Sequence, residues 1–160
     1  MSLFIQIDRF YKLATGTPLL KQLEALRPQF AAAAQAVYDE WDASDEIDGD
    51  AEVGQGGICH LIADKILDVV ASNLPDLNMT TISSSHEVHV YVVVGETTVN
   101  DEGDKDEDYY LIDIRPHVYE TGGGYTWKKI PDVAFTPDDI TIDWAEALEL
   151  DEDGNIREIY

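Results

Sequence analysis

The sequence changes its hydrophobic pattern once, near Thr80, and this change limits the folds that the chain can form. Before that point, apolar residues recur at intervals of three and four, the spacing of one face of an α-helix. After it, β-branched and aromatic residues occur in short runs typical of strands. Helices followed by strands predict an α+β domain. We expect N-terminal helices and a cysteine-bearing helix to pack on one face of a mainly antiparallel sheet.

Three helical segments are predicted in the first half of the chain, the first over residues 2 to 15. The second begins at Pro18 and is split or kinked near Arg27, because Pro28 lacks the amide hydrogen that a helix interior needs. Its predicted stripe contains Leu20, Leu23, Leu26, Phe30, Ala33, Ala34, Val37 and Trp41. The third follows an acidic, glycine-containing loop, and its predicted apolar face contains Cys59, Ile62, Ala63, Ile66 and Val70.

Two strands are clearest in the second half, over residues 80–96 and 108–119, and the charged loop between them is typical of antiparallel neighbours. The rest is predicted as a glycine-rich loop or hairpin from Thr121, an alternating segment DDITIDW, a brief helical pattern at 145–150, and a hairpin across DEDGN. At 160 residues and 44% hydrophobic composition, the chain has enough apolar side chain for one folded domain.

We divide this single domain, residues 1–160, into three parts. Residues 1–53 form a helical N-terminal part, 54–119 a candidate catalytic core, and 120–160 the C-terminal strands and hairpin.

The charge balance restricts the partners. The chain has 33 acidic residues against 10 Lys and Arg, a formal net charge of −23. Binding to nucleic acid or to an anionic membrane surface requires a basic footprint, so we expect neither partner. The acidic segments do not match the spacing of a calcium loop, and the four histidines offer no convincing zinc set. No metal or other cofactor is therefore expected.

The chain has one cysteine, Cys59, which excludes an intramolecular disulfide and a cysteine-rich zinc site. A reducing compartment fits this composition. The first residues, MSLFIQIDRFYKL, do not have the pattern of a secretory leader, and no apolar run is long enough to span a membrane. We therefore expect a cytoplasmic protein.

Cys59 follows Gly56 and Gly57 and is expected in the first turn of its helix. Unpaired backbone amides and the helix dipole favour a thiolate there, and Gly57 would allow a substrate carbonyl to approach the backbone. A buried core thiol is the alternative interpretation. His89 opens the apolar run HVYVVV, 30 residues later, and would be the base that a nucleophilic cysteine needs. His60 and His117 rank lower as bases.

Asp113 lies within the apolar segment YYLIDIRP and would orient the imidazole of His89. The alternative is an ion pair with Arg115, which shares its strand face.

The segments GQGGICHLIADKI, HVYVVV and YYLIDIRP together resemble the papain-like and transglutaminase-like cysteine peptidase superfamily. In that arrangement a cysteine begins a helix, a histidine begins a following strand, and Asp or Asn lies on the next. The resemblance covers about residues 54 to 116 and implies a Cys59 nucleophile, a His89 base, an orienting Asp113 and an oxyanion-binding Gln55. His60 stands where papain-like enzymes commonly carry an aromatic residue, and Tyr91 where transglutaminases often carry a tryptophan.

Two classes of function follow. The first is a cysteine peptidase, amidase or acyl-transfer enzyme that acts on a peptide or amide through a thioester. The alternative is a non-catalytic acidic protein that mimics nucleic acid or binds a basic protein partner. A third explanation attributes the charge to a high-salt habitat. Because 22 of the 33 acids fall within residues 39–52, 101–108 and 138–153, we expect an acidic field around Cys59 that favours cationic or neutral substrates.

Overall fold

The fold is described from a computed structural model. It describes residues 16–40, 58–84, 89–114, 118–121, 124–127, 134–145, 148–150 and 156–159. The predicted helix at 2–15 lies outside these residues.

Two short helices replace one long helix at the start of the described chain. Helix α1 spans Pro18–Ala25 and helix α2 spans Arg27–Glu40, with a break at Leu26. The hydroxyl of Thr17 accepts a hydrogen bond from the Leu20 amide at 3.0 Å and caps α1. Pro28 is the second residue of α2, a position where its missing amide hydrogen costs little. The predicted split is confirmed.

The buried stripe of these helices is rotated relative to the predicted one. Leu20, Ala33 and Val37 are half-buried, and Trp41 lies outside the described part. The fully buried side chains are Leu19, Leu23, Leu26, Phe30, Ala31, Ala34 and Tyr38. Leu23, Leu26, Phe30 and Ala34 belong to both sets, and packing against the rest of the core decides which of their neighbours are also buried.

Helix α3 spans Ile58–Asn73 and ends before Pro75, as predicted. Its buried residues are Ile58, Ile62, Ala63, Ile66 and Val70, while Cys59 is half-buried at the margin of this face. The predicted face is therefore correct except at its first member.

Strands β1 (Asn78–Ser84), β2 (His89–Val99), β3 (Lys105–Ile114) and β6 (Ile140–Trp144) form an antiparallel sheet in the order β1-β2-β3-β6. The sequence interpretation of residues 80–96 as one strand is wrong, because β1 and β2 pair with each other. The polar run SSSHE interrupts the apolar pattern there. Strand β3 also begins earlier than predicted, within the charged loop, since cross-strand pairing extends to Lys105.

Two small hairpins complete the described elements. Strands β4 (Val118–Thr121) and β5 (Gly124–Trp127) form the first, and β7 (Leu148–Leu150) and β8 (Ile156–Ile159) form the second. The second confirms the hairpin predicted across DEDGN. It also shows that the helical interpretation of 145–150 is wrong, because cross-strand pairing overrides that short pattern.

The core lies between the three described helices and one face of the sheet, which confirms the α+β class. Val92 and Val94 of β2 and Tyr110, Ile112 and Ile114 of β3 point into it. The Thr17 hydroxyl lies 2.7 Å from the hydroxyl of Tyr110, which joins the start of α1 to the centre of the sheet through a buried hydrogen bond.

The reverse face of the sheet is also partly buried. Val93 and Tyr109, which alternate with the core residues, are 0% and 2% exposed. The hydroxyl of Tyr109 accepts from the Asn78 side-chain amide at 3.1 Å and lies 3.2 Å from the Thr97 hydroxyl. Residues of β8 contact β1. Part of this face is therefore shielded from solvent, and β8 lies next to β1.

Arg27 connects the start of α2 to the start of β6 through hydrogen bonds. Its guanidinium donates to the carboxylate of Glu24 and to the main-chain carbonyls of Ile140 and Pro137, the last at 3.4 Å. The hydrogen bond from Arg27 lowers the pKa of Glu24 below its ordinary value.

Candidate functional site

Cys59 is the second residue of α3 and is half-buried. Its backbone amide is among the first four of the helix, which lack a partner within the helix. The fully buried Ile58 and Ile62 beside it belong to the core. Cys59 thus lies in the first helical turn and is half-buried, in contrast to the fully buried residues of the stripe.

The direction of α3 sets the position of Cys59 in the fold. Only residues 74–77 separate α3 from β1, and α3 packs on β1 and β2, so the helix runs back along the strand that follows it. The 16 residues of α3 span about 24 Å. The 7 residues of β1 span about 23 Å. Cys59 therefore lies toward the end of the sheet where β1 ends.

His89 and Asp113 belong to the same end of the sheet. His89 is the first residue of β2, and its backbone pairs with Ser84, the last residue of β1. Its side chain lies outside the described part. Asp113 is the penultimate residue of β3, is half-buried, and pairs with Thr141 of β6. Antiparallel order thus gathers the start of β2, the end of β3 and the first turn of α3.

The strand register relates positions 89 and 113 more closely. The pairs between β2 and β3 run from Val99–Lys105 to Val92–Ile112. The next positions toward this end of the sheet are 91 on β2 and 113 on β3, which the same register sets opposite each other. Position 89 lies two residues further, on the diagonal from Asp113 and in the same alternating series. The backbone therefore puts these two positions within reach of long side chains.

Cys59 approaches this end from the other side of the sheet. Ile112 and Ile114 point into the core beneath the helices, so Asp113 between them lies on the reverse face. The structure brings the three predicted residues to one end of the sheet, but it does not bring Asp113 to the face that α3 covers. Contact between the thiol and an imidazole at position 89 would be made around the strand ends.

Of the remaining predicted site residues, the structure describes only His60. Gln55, Gly57, Arg115 and His117 lie outside the described residues. His60 is described and exposed on α3, next to Cys59. Among the residues that the structure describes, no group of three or more His, Cys, Asp and Glu gathers as a metal ion would require.

One acidic stretch lies far from the candidate site. Strand β2 starts at His89 and ends at Val99, so the exposed acids of the β2–β3 turn, including Asp101 and Glu102, lie at the opposite end of the sheet. Ten residue steps along β2 separate the two ends by about 33 Å. Asp143, by contrast, is exposed on β6 beside Thr141. The expectation that residues 101–108 surround Cys59 is wrong. The β2–β3 turn lies at one end of the sheet, and the start of β2 and the end of β3 lie at the other.

Thr141 is a neighbour of Asp113 that sequence reasoning missed. Thr141 lies directly opposite Asp113, and its hydroxyl donates to the Asp113 carbonyl at 3.5 Å. The alternation in DDITIDW identifies Thr141 as a polar strand position, but the pairing of β3 with β6 brings together residues 28 apart. No local pattern contains that information.

Comparisons with protein-family models, with curated proteins and with solved structures find no match for this chain. None of the helices within the described ranges is both long enough and apolar enough to cross a membrane.

Proposed function

We propose that the chain is a cysteine-dependent acyl-transfer enzyme of the peptidase or amidase type. The observation that carries the proposal is the convergence of three positions: the first turn of α3, the start of β2 and the end of β3 share one end of the sheet. A nucleophilic cysteine requires a base within reach, and a base gains a fixed orientation from a carboxylate.

Each residue has a defined role in this proposal. His89 takes the proton of the Cys59 thiol, and the sulfur attacks the acyl carbon of a peptide or amide. The carbonyl electron pair moves onto oxygen, where the amides of the first turn of α3 stabilise it, together with Gln55 and Gly57. As the pair returns, the carbon–nitrogen bond breaks and His89 protonates the leaving amine. Water or a second amine then releases the acyl group from the thioester.

The half-buried state of Cys59 supports this proposal over a purely structural thiol. A reactive cysteine needs both a stabilised thiolate and access for its substrate. Ile58 is fully buried in the core, while Cys59 next to it is half-buried. Because Asp113 lies on the reverse face, the proposal gives it the role of orienting His89 and no contact with Cys59.

Alkylation of the single cysteine tests the proposal. We expect iodoacetamide to modify the native chain rapidly below pH 7, because an imidazolium at position 89 stabilises the thiolate. His89→Ala should lose this fast reaction, and the matched control His60→Ala, which removes the exposed histidine next to Cys59, should retain it. Slow labelling with the profile of an ordinary thiol in the native chain would overturn the proposed function.

A further inference from the structure

The hairpin of β2 and β3 extends beyond the rest of the four-stranded sheet. Strand β1 begins opposite Gly95, because the chain enters β1 directly from the turn after α3. Strand β6 ends opposite Tyr110. Pairing between β2 and β3 continues beyond both neighbours for four further pairs, the last of which joins Val99 to Lys105. We call this projecting hairpin, residues 96–108, the β-arm.

The outer half of the β-arm meets solvent on both of its faces. All ten residues from Thr98 to Glu107 are exposed, whereas a strand packed on one face would bury every second residue. Val99, although apolar, is 63% exposed. Within the described part of the chain, neither outer edge of the β-arm has a neighbouring strand. Such an edge presents backbone amides and carbonyls with which an added strand can pair.

The β-arm contributes little to the core and yet has a defined shape. A two-stranded hairpin without a packed face is at best marginally stable in water. The turn at its tip is held by the Asn100 side-chain oxygen, which accepts from the amides of Glu102 and Asp104 at 3.0 and 2.8 Å. An element that projects from the domain with its shape defined and with both faces exposed is suited to contact with another molecule.

The charge of the β-arm determines which kind of strand can pair with it. Its residues include seven acids and a single basic residue, Lys105. Pairing between two copies of the β-arm would set acidic side chains against each other, and like charges across an edge disfavour pairing. The same charge attracts a segment that is rich in Lys and Arg. It therefore favours a basic segment over a second copy of this chain.

We propose that the β-arm is a docking surface for an extended, basic segment of a partner protein, which adds as a strand to an outer edge of the arm. Backbone hydrogen bonds along the edge hold the segment, and its Lys and Arg side chains lie beside the acids of the arm. This surface is at the end of the sheet opposite the candidate site. The docking role therefore goes beyond the proposed function and does not depend on it.

Fluorescence anisotropy with a labelled octapeptide of alternating Lys and Val tests the docking on the full chain. We expect the peptide to bind at low salt and to bind less tightly as the salt concentration rises, because salt screens exposed charges. The same peptide methylated at every backbone nitrogen keeps its charges and loses its backbone donors. This methylated peptide should bind at least about tenfold more weakly.

Two double variants with the same change in net charge locate the binding surface. Asp101→Asn combined with Glu102→Gln removes two acids from the β-arm and should weaken peptide binding about three- to tenfold. The matched control, Glu40→Gln combined with Asp64→Asn, removes two exposed acids from α2 and α3 and should stay within about twofold of the native affinity. Thermal unfolding of each variant confirms that it is folded.

Three results would overturn the docking role of the β-arm. The first is the absence of peptide binding at low salt. The second is equal binding of the methylated peptide, which would identify attraction of charge without strand addition. The third is equal weakening in the two double variants, which would assign the attraction to the net charge of the whole chain. Because peptide binding does not involve Cys59, each of these results leaves the proposed function standing.

Discussion

The ring of Tyr109 lies against Gly95, its cross-strand partner, so closely that no side chain fits between them. A Cβ atom built at Gly95 would lie 2.5 Å from Cδ1 of Tyr109 and 2.2 Å from the main-chain oxygen of Asp108. The glycine lets the ring cross the reverse face and bring its hydroxyl to Asn78 and Thr97. This contact joins the three strands β1, β2 and β3.

Gly95→Ala should therefore destabilise the domain by about 3 kcal/mol, because the added methyl group meets backbone that cannot move without breaking the sheet. Urea unfolding measures the difference. Gly103→Ala is the control: nothing lies within 4 Å of its Cβ position, and its φ of +86° predicts a loss of about 1 kcal/mol. Equal losses at the two glycines would contradict the close packing of Tyr109.

Thr17 connects a helix cap to the buried sheet. Its hydroxyl accepts from Leu20 and shares a hydrogen bond with Tyr110, so Thr17→Ala should cost about 2–3 kcal/mol. Thr17→Ser keeps the hydroxyl and should retain most of the stability. Chemical denaturation of both variants provides the comparison, and a serine variant as unstable as the alanine variant would exclude the hydrogen bonds as the cause.

The Glu24–Arg27 pair predicts a pH-dependent contribution to stability. Arg27 lowers the pKa of Glu24 in the folded state, so the contribution is present above the ordinary carboxyl pKa and is lost as pH falls through the lowered value. Glu24→Gln should lower the urea midpoint at neutral pH, and the difference from the native chain should vanish in acid. Glu24 is 43% exposed, so the effect should be small. Glu107→Gln is the control, because it removes an exposed carboxylate and leaves the Glu24–Arg27 pair intact. A difference between Glu24→Gln and the native chain that persists in acid would contradict the account.

The position of the acidic β2–β3 turn makes a prediction about the charge. Asp101→Asn combined with Glu102→Gln removes two exposed charges about 33 Å from the start of β2, well beyond the Debye length of about 8 Å at physiological ionic strength. The rate of Cys59 alkylation should remain unchanged. Asp143→Asn, beside Thr141, is the contrasting variant and should change that rate at low salt. A large change in the alkylation rate in the turn variant alone would contradict the position of this turn at the end of the sheet far from Cys59.

Sequence patterns predict the helices and strands of this fold well where the deciding residues are neighbours in the chain. Pro28 predicts the break in the predicted long helix because proline has no amide hydrogen to donate. The segment DDITIDW predicts β6 because its alternation of polar and apolar residues is visible within the segment itself. The sequence does not predict which residues of the stripe are fully buried. Leu19 is buried and Leu20 is half-buried because of the way α1 packs in the folded domain, and this packing is not a local property.

The candidate site shows the same limit more sharply. Its residues Cys59, His89 and Asp113 are identifiable from their segments, and the positions are at one end of the sheet because successive elements run antiparallel. The face of Asp113 and its pairing with Thr141 depend on long-range register. A shift by one residue would move Asp113 to the helix side, and no spacing in the sequence distinguishes the two registers.

The central claim is that Cys59 is held as a thiolate by an imidazolium at position 89. With one cysteine in the chain, thiolate absorbance near 240 nm, taken as the difference from Cys59→Ser, reports on this group alone. The account predicts thiolate absorbance in the native chain under mildly acidic conditions in which His89→Ala shows none. Absorbance that appears only in alkaline solution, and equally in both proteins, would contradict it.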